Sequence, residues 1–95
     1  MTFSAIAAAR PRRRTTLTGR IITVKACSRP WVRCDVDLGD DSGTITLRFL
    51  GRRALPGMFA GRRLRVEGTP LQQGEVLIML NPNYSFVAED SGCSG

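Results

Sequence analysis

Two neighbouring stretches of this chain alternate apolar and polar residues with a period of two, and no stretch sustains the 3.6-residue period of a surface helix beyond about three turns. In "WVRCDVDL", Val32, Cys34, Val36 and Leu38 share one side, and Trp31, Arg33, Asp35 and Asp37 the other. In "TITLRFL", Ile45, Leu47 and Phe49 point one way, and Thr44, Thr46, Arg48 and Leu50 the opposite way. Between them lies "GDDSG", built of residues that tolerate turn conformations. This is the pattern of two antiparallel strands, each with one face in a core and one in water.

The remaining segments read the same way. "TTLTGRIITVKAC" changes phase, with Leu17, Gly19 and Ile21 on one parity and Ile22, Val24 and Ala26 on the other, so a bulge or bend near Gly19 is expected. "RRLRVEGT" places Leu64 and Val66 inward, and Arg63, Arg65 and Glu67 outward. After the loop "PLQQG" comes the apolar "EVLIMLN", and "PNYSFV" closes the fold, with Tyr84 and Phe86 packed at the end of the fifth strand. Five strands in 95 residues, the first long and bent, imply an all-β domain wrapped into a barrel, of the OB-fold or SH3-like kind. The domain is expected over residues 15–87, preceded by a disordered basic arm, 1–14, and followed by a flexible tail, 88–95.

Charge narrows the partner class. Fourteen basic residues face eight acidic ones, for a net +6, and "RPRRR" in the arm carries no acid at all. Such a field favours polyanions, nucleic acid ahead of a membrane surface. The chain has no His, and Cys27, Cys34 and Cys93 form no C-x-x-C pair, so neither a zinc site nor another metal site is expected, and no cofactor. Without the common nucleophile frames or phosphate loops, the sequence points away from an enzyme. Scattered cysteines fit a reducing cytoplasm, and "MTFSAIAAA" is too short to span a membrane.

The series "TLTGRI", "GTITLRFLG", "LPGMFAGRRLRVEGT" and "EVLIMLNPNY" resembles the OB-fold nucleic-acid-binding domains of the anticodon-binding and helicase-wedge type. It looks most like the small stand-alone actinobacterial members. The resemblance covers about residues 15–87 and implies a five-stranded Greek-key barrel with a short plug, in place of a helix, between strands 3 and 4. Here "GRRALPGMFAGRR" supplies the plug: Pro56-Gly57 breaks any helix, while Leu55, Met58 and Phe59 cover the barrel end. Phe49 and Phe59 are expected in the core.

An OB-fold binds its ligand along strands 2 and 3, flanked by the loops between strands 1 and 2 and between strands 4 and 5. The resemblance therefore places the candidate nucleic-acid site at Lys25, Arg29, Trp31, Arg33, Arg48, Gln72 and Gln73. Trp31 can stack a base, and Arg33 and Arg48 share its outward parity, although on a solvated face they can equally pair with Asp35 or Asp37. Secondary phosphate contacts are expected from Arg12, Arg13 and Arg14 of the arm, and from Arg52, Arg53, Arg62 and Arg63 around the plug. Two functions stay open. One is a module that binds single-stranded DNA or RNA with low sequence specificity, favoured by the charge. The other is a protein-interaction or assembly module on the same fold, favoured by the shortage of exposed aromatics.

Overall fold

The alternating hairpin forms as read from Arg33 onward, but Val32, expected inward, lies ahead of the strand and is exposed. In the computed structural model, which describes residues 5–88, β2 (Arg33–Gly39) and β3 (Thr44–Leu50) pair antiparallel from Arg33 opposite Leu50 to Gly39 opposite Thr44. Cys34, Val36, Leu38, Ile45, Leu47 and Phe49 are all buried. Asp40 shapes the connecting turn: its Oδ1 accepts hydrogen bonds from the Ser42 and Gly43 amides and from the Ser42 hydroxyl.

β1 (Thr15–Cys27) pairs with β4 (Arg63–Gly68) through its first half and with β2 through its second. Its phase change is a bulge, but the register slips between Ile21 and Thr23 rather than at Gly19. Gly19 serves the other purpose open to glycine, close approach: a Cβ there would stand 2.5 Å from the Gly39 carbonyl oxygen. Leu17 and Ile21 are buried before the slip, whereas Ile22 and Val24 are exposed after it.

Seven strands are present instead of five because two long strands are each broken once, and the stretch expected as the loop "PLQQG" is itself largely a strand. β4 and β5 (Pro70–Gln73) are separated by Thr69 alone, and β6 (Val76–Leu80) and β7 (Asn83–Phe86) by Asn81 and Pro82. β5 pairs with β6 and β4 with β7, both antiparallel, so the two broken strands run as one interrupted hairpin from Gln73–Val76 to Leu64–Phe86. Proline, which has no N–H for a ladder, sits at each interruption. β6 also lies parallel to β3 over three pairs, Thr46–Ile78 to Arg48–Leu80. The strand order β5-β6-β3-β2-β1-β4-β7 thereby returns on itself through the continuity of β4 with β5, giving a partly open barrel. Its core is Leu17, Ile21, the β2–β3 apolar row, Leu64, Val66 and Met79.

The plug contains no helix. Leu55 is buried and Met58 packs half-buried against the core, as expected. Phe59 does not: it is 57% exposed, with the Arg62 guanidinium 5.4 Å from its ring. Arg62 instead covers Phe86, at 3.7 Å from that centroid, and donates to the Gly57 carbonyl at 2.9 Å. Phe86, as expected, packs half-buried against the core.

The arm is also more than a disordered leader. Ile6, in a short 3-10 turn over Ile6–Ala8, is 1% exposed and belongs to the core. Its amide donates to Asp40 Oδ2 at 3.0 Å, the Ala7 amide to Ser42 Oγ at 2.9 Å, and the Arg12 amide to the Pro70 carbonyl at 2.7 Å. One apolar side chain closing the barrel end, with backbone donors satisfied by the β2–β3 turn, ties this segment down. Of the expected tail, residues 89–95 lie outside the described part, as do Phe3 and Cys93.

Candidate nucleic-acid interface

Because even-numbered residues of β2 and odd-numbered residues of β3 fill the core, Arg33, Asp35 and Asp37 share the outer face with Leu50, Arg48 and Thr46. The face is an ordered polar network. Asp35 accepts from Arg48 Nε at 3.1 Å and from Arg33 Nε at 3.4 Å, and Arg48 reaches Gln73 Oε1 at 3.4 Å. Asp37 accepts from the hydroxyls of Thr46 and Thr23, each at 2.9 Å. Both carboxylates are therefore engaged from within, and Asp35 offsets part of the positive charge that the two arginines bring.

Beyond this network the face turns apolar. Trp31 is 67% exposed and joins Val32, Leu50 and Gly51 around a shallow, almost wholly apolar hollow of about 450 Å³. The Gly51 amide bonds the Val32 carbonyl at 2.8 Å, continuing the ladder beneath it. Arg33 Nη1 donates to the Arg29 carbonyl at 3.0 Å, so Arg33 anchors the loop that leads into Trp31.

The expected residues thus separate. Arg33, Arg48 and Gln73 meet in one network, Trp31 stands at its apolar end, and Lys25 is exposed on β1 opposite Asp35. Arg29 is exposed in the loop. Gln72 does not join them: it alternates to the other side of β5 and donates to the Gly74 carbonyl at 2.7 Å. Of the secondary contacts, Arg12, Arg13, Arg52 and Arg53 are exposed. Arg14 pairs with Glu67 at 3.5 Å, and Arg62 is held by Phe86 and Gly57. Sequence reasoning set Arg63 and Arg65 on one face but missed Val32 and Leu50 as companions of Trp31, and Arg20 as the ladder partner of Arg63.

Burial, reinforced by the charge of Asp35 and by Cys27, pushes the Cys34 thiol up, so it stays protonated as a core residue. Asp40 behaves oppositely: burial opposes its charge, but hydrogen bonds from the Ser42 hydroxyl and from the Ile6, Ser42 and Gly43 amides outweigh it and hold the carboxyl below its usual range. Among the described residues no three His, Cys, Asp or Glu side chains gather as metal ligands, and no helix is long and apolar enough to cross a membrane.

No protein-family model and no curated protein matches the chain. Among solved structures it is similar to the solution NMR structure of the OB domain, residues 67–166, of MM0293 from Methanosarcina mazei. The TM-score is 0.71 at 13% identity, over 92% of this chain and 84% of that one. At this identity the likeness is one of fold, and the fold is the all-β OB-fold.

Proposed function

We propose that this OB-fold module binds single-stranded DNA or RNA with low sequence specificity across the outer face of β2 and β3, in the cytoplasm and without catalysing a reaction. The observation that carries the reading is Trp31, a large aromatic ring 67% exposed beside Leu50, which is the ladder partner of Arg33. Exposing that ring to water is unfavourable for the folded chain alone, whereas a base stacked on it gains about 1–3 kcal/mol whatever its identity. Val32 and Leu50 extend the platform, and Lys25 and Arg29 flank it with exposed charge for phosphates. The sequence resemblance to anticodon-binding and helicase-wedge domains supports the same ligand class.

A second reading, a protein-docking module, is favoured by one observation: the Trp31 hollow is apolar, while the cations beside it are partly offset by Asp35. Fluorescence anisotropy of labelled single strands at two salt concentrations separates the two. The proposal expects binding that weakens with salt and is lost or much reduced in Trp31→Ala. No binding at low salt removes it and leaves the docking reading.

A further inference from the structure

The run "RPRRR" is built into the fold instead of trailing from it. Ahead of it Ile6 is sealed in the core, and behind it Thr15 opens β1. Between these anchors residues 10–13 make one tight turn, closed by the Arg13 amide on the Arg10 carbonyl at 3.2 Å. Pro11 fixes the first corner and Arg12 takes the second with a φ of 68°, which makes the turn type II. That corner belongs by preference to glycine, because a side chain in the left-handed region is strained. Folding alone therefore gives no reason for an arginine there, and strain held at a single residue is a common mark of a binding position. The Arg12 amide also donates to the Pro70 carbonyl, on the edge strand β5, at 2.7 Å, which fixes the turn to the barrel. Arg14 pairs with Glu67 at 3.5 Å. Arg10, Arg12 and Arg13 are exposed, and among the described residues their guanidiniums have neither a hydrogen bond nor an ion pair. Of the acids on this side, Asp40 is engaged by Ile6, Ser42 and Gly43, and Glu75, which borders a groove with Ile6 and Ala7, bonds none of the three.

We infer that Arg10, Arg12 and Arg13 form a preshaped contact for the phosphates of a single strand, held in place by Ile6; that the anion is a nucleic-acid backbone rests on the reading above. Guanidinium forks match phosphate oxygens. Ordering them before the ligand arrives removes the entropy that a disordered arm would lose on contact. The location suits the role. Pro70 begins β5, and Gln73 of the same strand, which accepts from Arg48 at 3.4 Å, lies three residues and about 10 Å farther on. A strand that runs from Arg48 toward β5 therefore meets the turn well within the roughly 4–16 nucleotides that an OB-fold covers.

The test measures single-strand binding against salt for wild type, Arg12→Gly and Ile6→Ser, each with a thermal melt. Arg12→Gly keeps the turn and removes one free guanidinium. It should bind several-fold more weakly and lower the slope of log affinity against log salt by about 0.7, one phosphate contact, while its melting temperature holds or rises as the strained corner is relieved. A purely structural role for Arg12 would move the melt down and leave the slope alone. Ile6→Ser keeps every charge and removes the anchor, so the protein, where it folds, should also bind more weakly; where it does not fold, Arg12→Gly decides alone. Unchanged affinity and slope in Arg12→Gly, or unchanged affinity in a folded Ile6→Ser, overturns the inference. Inorganic tripolyphosphate, which has no base to stack, separates this site from the Trp31 face. It should shift the Arg13 amide resonance in wild type and in Trp31→Ala, and much less in Arg12→Gly. If it does so while single strands fail to bind, the Trp31 reading falls and the phosphate turn stands; if single strands bind and quench Trp31 while the Arg13 amide stays unmoved by tripolyphosphate, the phosphate turn falls and the Trp31 reading stands.

Discussion

Asp35 sets how much charge the β2–β3 face offers to a ligand, and its removal has a calculable effect. The side chain is 15% exposed and receives Arg48 Nε at 3.1 Å and Arg33 Nε at 3.4 Å. Asp35→Asn keeps the shape and removes the counter-charge from both guanidiniums. Each guanidinium that then meets a phosphate adds about 0.7 to the slope of log affinity against log salt for a single strand, so two add about 1.4. Between roughly 50 and 200 mM salt, an interval of about 0.6 log units, the variant should lose about sevenfold more affinity than wild type while binding more tightly at the low end. The same change weakens charge-assisted hydrogen bonds and should lower stability by on the order of 1–3 kcal/mol, or about 4–8 °C in melting temperature per kcal/mol. Anisotropy titrations at four salt concentrations, with a thermal melt to show that the variant is folded, measure both. A folded Asp35→Asn protein whose slope equals that of wild type would refute the reasoning, since Arg33 and Arg48 would then not be the cations that meet phosphate.

Gly19→Ala should be destabilising by about 1–3 kcal/mol in a thermal melt, because its Cβ meets backbone at 2.5 Å; Gly43→Ala, whose nearest neighbour is at 3.6 Å, should be close to neutral. Arg62→Ala removes the ring contact with Phe86 and the bond to Gly57, so stability should fall by about 1 kcal/mol while strand affinity changes little. Asp40 has a carboxyl pKa held below its unfolded value, so its contribution is present above about pH 4 and is lost as pH falls through the lower folded value. Hydrogen exchange should therefore show the Ile6 amide losing protection in acid before the β2–β3 core, and Asp40→Asn should abolish that difference.

The hairpin of β2 and β3 was legible because a one-residue slip there would turn Cys34, Val36 and Leu38 out into water, so the alternation admits one register. Alternation also places Arg33 and Arg48 on one face, whereas Trp31 lies ahead of β2, where Val32 is exposed beside it. Which acid their charges meet depends on register across strands, which sets Asp35 opposite Arg48 and Asp37 opposite Thr46. The bulge could be foreseen from the phase change but not placed, since Gly19 signals close approach as readily as a slip. Phe59 and Phe86 are equally apolar on paper, so sequence alone does not show that Phe59 stays exposed in the plug while Phe86 packs against the core. Ile6 gave no signal, because a lone apolar residue ahead of a basic run has no period to read.

The chain holds a single tryptophan, so its emission reports on the proposed interface alone. Titration of the wild-type protein with an unlabelled single strand at low salt tests the central claim most directly. Stacking on Trp31 predicts saturable quenching that parallels binding measured by anisotropy and that reverses on adding salt. Binding that leaves the emission of Trp31 unchanged, or no binding at all, would contradict it.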